Sequence, residues 1–142
     1  MLSNKKLIVI IVSIALVVAV CIVAVVFQGG TIKVSKVQSI SIIAVDENLT
    51  LDIVDPNDVR SISKILNKRA HNDSPSCPFG YVKIIIKQND ESVAVYPATD
   101  ECHVFRINSK YFSISNNEWE SLMEIFSKYN VDRSLFESGK GI

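Results

Sequence analysis

The hydrophobic pattern divides the chain into a long apolar run near the N-terminus and a patterned remainder. Residues 7–27 carry no charge, and Ser13 is the only polar side chain among them. A helix of this length, at ~1.5 Å per residue, matches the ~30 Å hydrocarbon core of a bilayer. The run therefore predicts a transmembrane helix, with residues 1–6 as a short tail before it and residues 28–36 as a tether after it.

Three kinds of membrane-targeting segment contain such a run. A cleaved signal peptide has an apolar core of ~7–15 residues and a small-residue cleavage site, but the exit residues 25–28 are bulky. A lipoprotein signal needs a small residue before its acylated cysteine, whereas Val20 precedes Cys21. An uncleaved signal anchor fits best. Lys5, Lys6 and the terminal amine slightly outnumber Lys33 and Lys36 on the exit side, which leans toward a cytoplasmic N-terminus. The prediction is a single-pass protein of the cell membrane with an extracytoplasmic C-terminal domain.

Beyond the tether, apolar positions recur with the periods of strands and helices. The predicted elements are strands at 39–45 and 49–53, a helix opened by Asp55-Pro56, strands at 81–87 and 92–96, a hairpin around Asn108-Ser109, and a helix begun by the capping box of Ser115 and Glu118. One antiparallel sheet with both helices on its apolar face buries every apolar stripe. The expected fold class is α+β in the order ββαββββα, as one domain over residues 37–133 with a flexible tail at 134–142.

Two predicted hairpins define the faces of this sheet. A turn at Asn89-Asp90 pairs Ile86 with Val93, and the next hairpin pairs Phe105 with Phe112. The opposite face would carry basic and aromatic residues: Lys83, Lys87, Tyr96, Arg106 and Tyr111. This face is the best candidate for a contact surface, and a merely solvated sheet face is the alternative.

The charge distribution argues against two kinds of partner. After the apolar run the chain holds thirteen basic and fifteen acidic residues, a formal charge of −2. No stripe of Lys and Arg stands out, so nucleic-acid binding is not expected. No strongly basic segment indicates docking on anionic lipid either.

Two cysteines follow the apolar run, Cys77 and Cys102. On the oxidising side of a membrane an even pair usually forms a disulfide. The register around Asn89-Asp90, continued outward, brings the two cysteines near each other, although Pro78 and Pro97 must disturb the ladder. A disulfide between them is therefore predicted.

A metal site is the alternative use of the cysteines. His71, Cys77, Cys102 and His103 could supply nitrogen and sulfur ligands, but their spacing matches no zinc motif. Adjacent Cys102 and His103 would also point to opposite faces of a predicted strand, which argues equally against a Cys–His nucleophile. Asp100-Glu101 is expected to be solvated. No catalytic residue, metal or cofactor is expected, and the chain is not expected to be an enzyme.

The segments Cys77-Pro78-Phe79-Gly80 and Ala98-Thr99-Asp100-Glu101-Cys102, with the hairpin between them, resemble small membrane-anchored extracytoplasmic proteins of Gram-positive bacteria. The resemblance covers about residues 77–129. It implies an extracytoplasmic location and a cysteine pair, but no active site.

Two functions are compatible with these features. The expected one is a membrane-tethered binding or interaction domain, of the immunity or inhibitor type, with a protein partner. The alternative is a regulatory or sensory accessory subunit whose helix contacts a larger membrane protein. Ala15 and Ala19 supply in part the small-residue spacing that such helix contacts use.

Overall fold

The computed structural model describes residues 10–18, 32 and 34–137. Its elements are helix α1 at residues 10–18, a 3₁₀ turn Val34–Lys36, strands β1 Val37–Ala44 and β2 Leu49–Ile53, helix α2 Pro56–Leu66, strands β3 Val82–Gln88, β4 Glu91–Pro97, β5 Val104–Ile107 and β6 Lys110–Ser113, and helices α3 Asn116–Ser127 and α4 Ser134–Glu137. The predicted α+β class is confirmed, with the predicted strand and helix order up to α3.

The six strands form one antiparallel sheet in the order β2-β1-β3-β4-β5-β6. Consecutive strands are neighbours except β2 and β3, between which the chain runs through α2 and returns to the other side of β1. The predicted cross-strand pairs are present: Ile86 lies opposite Val93, and Phe105 lies opposite Phe112. The phenyl rings of the second pair stack with centroids 5.4 Å apart.

Local sequence explains where these elements start and turn. Each hairpin turn contains an asparagine with positive φ, at Asn48, Asn89 and Asn108, and asparagine tolerates this conformation better than most residues. The side chain of Asp55 accepts two backbone N–H groups at the start of α2. Ser115 begins α3 with the predicted reciprocal capping box.

One face of the sheet and the helices enclose a single apolar core. The largest fully buried side chains include Trp119 and Phe126 of α3 and Phe105 of β5. The Trp119 ring contacts the Phe105 ring at a centroid distance of 6.1 Å. α2 packs against β1 and α3, and Ile62 of α2 is fully buried. Both helices therefore cover the apolar face of the sheet.

The domain extends further in both directions than the predicted range of 37–133. Ile32, predicted to lie in the tether, is 2 % exposed and belongs to the core. Residues 134–137, predicted to begin a flexible tail, form α4, and Phe136 is 1 % exposed against Trp119 and Phe126. The sequence pattern did not reveal the burial of Ile32 and Phe136, because an isolated apolar side chain has no periodicity.

Residues 10–18 form a helix whose apolar side chains are exposed on all sides, up to 66 % at Leu16. Within the described part of the chain, no helix has both the length and the apolar character needed to cross a bilayer. The predicted transmembrane run extends beyond this helix, and its other residues, 7–9 and 19–27, lie outside the described residues. The predicted tail 1–6 lies outside them as well.

A polar contact joins α2 to the end of α3. The Asp58 carboxylate accepts hydrogen bonds from Lys128 Nζ at 3.1 Å and from the Tyr129 hydroxyl at 2.9 Å. The hydrogen bond from Lys128 is the main reason that the pKa of Asp58 lies below its usual value. Burial, with the nearby Asp58, raises the pKa of Tyr129 to about 12.

Replacing Asp58 with Asn should lower the free energy of unfolding near neutral pH by roughly 1 kcal/mol or less, because such partly exposed pairs contribute little. A carboxyl with a lowered folded-state pKa stabilises the fold above its unfolded pKa of about 3.9, and this contribution is lost as the pH falls through the folded value. Urea unfolding at several acidic pH values measures this. The difference in unfolding free energy between the native chain and Asp58→Asn should shrink below about pH 4. The exposed Asp73→Asn is the control, and an equal deficit in both variants would contradict the assignment.

Candidate binding surface

The five residues predicted as a contact surface all lie on the sheet face opposite the helices, which we call the outer face. They are Lys83, Lys87, Tyr96, Arg106 and Tyr111. Tyr96 lies directly opposite Arg106, and Arg106 lies directly opposite Tyr111. Alternating residues on the same strands, such as Ile84 and Val95, are fully buried, so strand geometry turns the five outward.

The guanidinium of Arg106 contacts two aromatic rings. Its central carbon lies 4.8 Å from the ring centroid of Tyr96 and 5.2 Å from that of Phe79. The Phe79 ring also contacts the Tyr111 ring at 5.7 Å. We call these four residues the arginine stack. Each cation–π contact contributes ~0.5–1 kcal/mol at an exposed site, and together the contacts restrain the orientation of the arginine.

Strand alternation predicts that three members of the arginine stack share one face, but it does not identify Phe79 as the fourth. This residue belongs to the irregular segment 67–81, which has no strand period to assign it to a face. The segment forms two isolated bridges, one between His71 and Tyr111 and one between Phe79 and Ala98. The His71 and Tyr111 backbones exchange two hydrogen bonds of 2.8 Å. These bridges carry the segment past β6 and set Phe79 beside the outer face.

The predicted disulfide joins this segment to the connection between β4 and β5. Cys77 and Cys102 are bonded, with Cα atoms 6.4 Å apart. The prediction that Cys102 and His103 lie in a strand is wrong, because His103 has a left-handed φ of 51° and β5 begins only at Val104. Only Pro78 separates Cys77 from Phe79, so the bond restrains the chain next to one aromatic member of the arginine stack.

The four residues weighed as metal ligands do not form one cluster. His71 pairs with β6, whereas the His103 ring stacks on Trp119 at 4.6 Å, and its Nδ1 lies 3.1 Å from the Asn116 side-chain oxygen. Among the described residues, the group close enough to hold a metal ion is Cys77, Asp100 and Cys102. Its two sulfurs form the disulfide, and metal coordination by cysteine requires free thiolates.

The outer face carries excess positive charge. Its charged strand residues are Lys83, Lys87, Arg106 and Asp52, and the Asp52 carboxylate already accepts a hydrogen bond from Ser41. Ion pairs within the described part of the chain involve the helices and their adjoining residues. The three outer-face cations therefore have no carboxylate partner among the described residues.

Comparison with known proteins gives no relative from which to transfer a function. No family model matches the chain, and no curated protein or solved structure matches it. The outer face itself offers aromatic surface, a restrained guanidinium and two further cations. Such a set of groups can recognise a partner by stacking and by charge-assisted hydrogen bonds.

Replacing Cys77 or Cys102 with Ser should lower the free energy of unfolding by ~2–5 kcal/mol, as for other small disulfide-bonded domains. The double replacement should lower it by little more than either single one, because each removes the same bond. Urea unfolding of the three variants measures this. Full addition of the two single effects would contradict the bond, as would free thiols at both positions in protein from intact cells.

Proposed function

We propose that this chain is a membrane-tethered, extracytoplasmic domain that binds a protein partner through its outer face, without catalysing a reaction. An immunity or inhibitor protein at the cell surface is one concrete form of this role. The observation that carries the proposal is the arginine stack, in which a charged side chain is restrained by aromatic rings yet has no carboxylate partner in the described chain.

The membrane part of the proposal is supported by α1 and by the sequence around it. Apolar side chains surround this helix and are exposed, for example Ile11 at 58 % and Val17 at 60 %. A helix that is apolar on all sides is normally surrounded by protein or by lipid. The apolar run in the sequence continues to residue 27, which is long enough for a bilayer span.

The extracytoplasmic orientation is supported by the bond between Cys77 and Cys102. Structural disulfides form and persist outside the reducing cytoplasm. Lys5 and Lys6 before the apolar run are matched by Lys33 and Lys36 after it, so the disulfide is the main support for this orientation.

Binding is a better interpretation than catalysis because of the groups that the fold brings together. The outer face combines lysines, an arginine and aromatic rings, which suit recognition more than proton transfer. His103 is held by Trp119 and Asn116, and Arg133 is engaged by Glu120 and Glu137. The charge of Arg133 is thus already balanced by carboxylates, whereas the outer-face cations have none among the described residues and are available to a partner.

Site-specific photocrosslinking of the full chain in intact cells tests the proposal. A crosslinking residue at Ser92 or Ser113, both exposed on the outer face, should give a discrete adduct of higher mass. The same residue at Lys64 of α2 or Glu124 of α3 should not, because these exposed positions lie in the helix layer. Equal adducts from all four positions would contradict an outer-face interface. Turnover in a broad screen of hydrolase substrates would contradict the non-catalytic role.

The alternative function is an accessory subunit that contacts a larger membrane protein through its N-terminal helix. The exposed apolar surface of α1 favours it, since another transmembrane helix could cover that surface as well as lipid can. Exchanging residues 7–27 for an unrelated transmembrane sequence separates the two functions. We expect the outer-face adducts to persist after the exchange. Their loss, with protein amount and location unchanged, would establish the accessory role instead.

A further inference from the structure

We infer that the outer face binds an acidic polypeptide segment. One carboxylate of this segment would accept hydrogen bonds from the Arg106 guanidinium. The inference rests on the proposed binding function and specifies the chemistry of its partner. Its three elements are the N–H groups of the stacked guanidinium, the spacing of the cations, and the position of the acidic residues at one end of the sheet.

The stack leaves the N–H groups of the guanidinium available for a ligand. The Arg106 guanidinium contacts the rings of Tyr96 and Phe79, and a contact with an aromatic ring does not use its N–H groups as hydrogen-bond donors to an oxygen. Arg106 is half-buried, and the described chain supplies no carboxylate to these groups. A planar guanidinium with restrained orientation matches the two oxygens of a carboxylate, and the resulting pair of hydrogen bonds is stronger than a neutral one.

The spacing of the cations favours an extended chain over a small anion. Lys83 and Lys87 are four residues apart on β3, or ~13 Å at ~3.3 Å per residue. Arg106 on β5 lies two strands from β3, or ~10 Å at ~4.8 Å per strand. One small oxyanion cannot contact charges separated by such distances. An extended segment with several Asp or Glu side chains can reach all three.

The acidic residues of the sheet argue against an anionic lipid surface as the ligand. Val37 begins β1 directly after the 3₁₀ turn and pairs with Gln88. Exposed Asp90 and Glu91 therefore lie at the end of the sheet that the N-terminal segment enters. At this end Lys36 and Lys87 are balanced by Asp90 and Glu91, so the end of the sheet nearest the anchor has no net positive charge with which to attract negative head groups. Lys87 is the outer-face cation closest to Asp90 and Glu91. Arg106 lies on β5, directly opposite Tyr96 on one neighbouring strand and Tyr111 on the other.

Fluorescence anisotropy with the purified full chain in neutral detergent tests the inference. The probe is a labelled hexaglutamate peptide, and hexaglutamine is its uncharged counterpart. We expect hexaglutamate to bind more tightly than hexaglutamine and to dissociate as salt is raised, since exposed charge interactions are screened. Arg106→Gln should weaken binding about tenfold, the loss typical of a hydrogen bond to a charged group. Arg60→Gln, at an exposed position of α2, should leave it unchanged.

Two further variants separate the stack from charge alone. Arg106→Lys keeps the charge but not the planar fork, and should bind more weakly than the native chain. Phe79→Leu keeps every charge but removes one ring, and should weaken binding about twofold to fivefold. Thermal unfolding shows whether each variant remains folded. The change in hexaglutamate affinity is compared only among variants that do.

Each of three outcomes would overturn the inference. An equal loss of hexaglutamate affinity in Arg106→Gln and Arg60→Gln would mean that the peptide is attracted by the charge of the whole domain and not by the outer face. Absence of hexaglutamate binding, with binding to detergent micelles doped with phosphatidylglycerol, would assign the face to lipid. Crosslinking of a partner from Ser92 that is insensitive to Arg106→Gln would leave the proposed binding function standing while removing the acidic-segment contact.

Discussion

Burial of one face of the sheet is the constraint on which the rest of this structure depends. Six strands place alternate side chains on the core face, where α2 and α3 cover them. That burial removes the apolar side chains from water, which is the main favourable contribution to folding. It also determines the other face, because every inward residue such as Val95 turns its neighbour Tyr96 outward. The candidate binding surface is thus a geometric consequence of the core.

Chain connectivity then adds what strand alternation cannot supply. The segment between α2 and β3 passes beside β6, and the disulfide joins it to the β4–β5 connection. This arrangement brings Phe79 against Arg106, which already faces Tyr96 across the β4–β5 pair. The disulfide that stabilises this small domain therefore also helps to position Phe79 on the surface that we propose for binding. The segment between α2 and β3 therefore contributes both to the stability of the domain and to the surface that we propose for recognition.

Helix α1 and the folded domain treat their apolar side chains in opposite ways. The domain buries its apolar side chains internally, whereas α1 exposes them on all sides. In the proposed function, lipid or a transmembrane helix of another protein covers the exposed side chains of α1. We propose that the domain binds its partner through the outer face. There the positive charges of Lys83, Lys87 and Arg106 have no carboxylate partner among the residues described.

The sequence by itself determined what depends on neighbours along the chain. Strand alternation and turn residues were sufficient to predict the pairing of Phe105 with Phe112, and the capping box was sufficient to predict the start of α3 at Ser115. The disulfide was also predicted, from cysteine number and register. Only the tertiary structure decided the burial of Phe136 and the position of Phe79. Both lie in segments too short or too irregular to show a period, so their environment is set by distant residues rather than by local pattern.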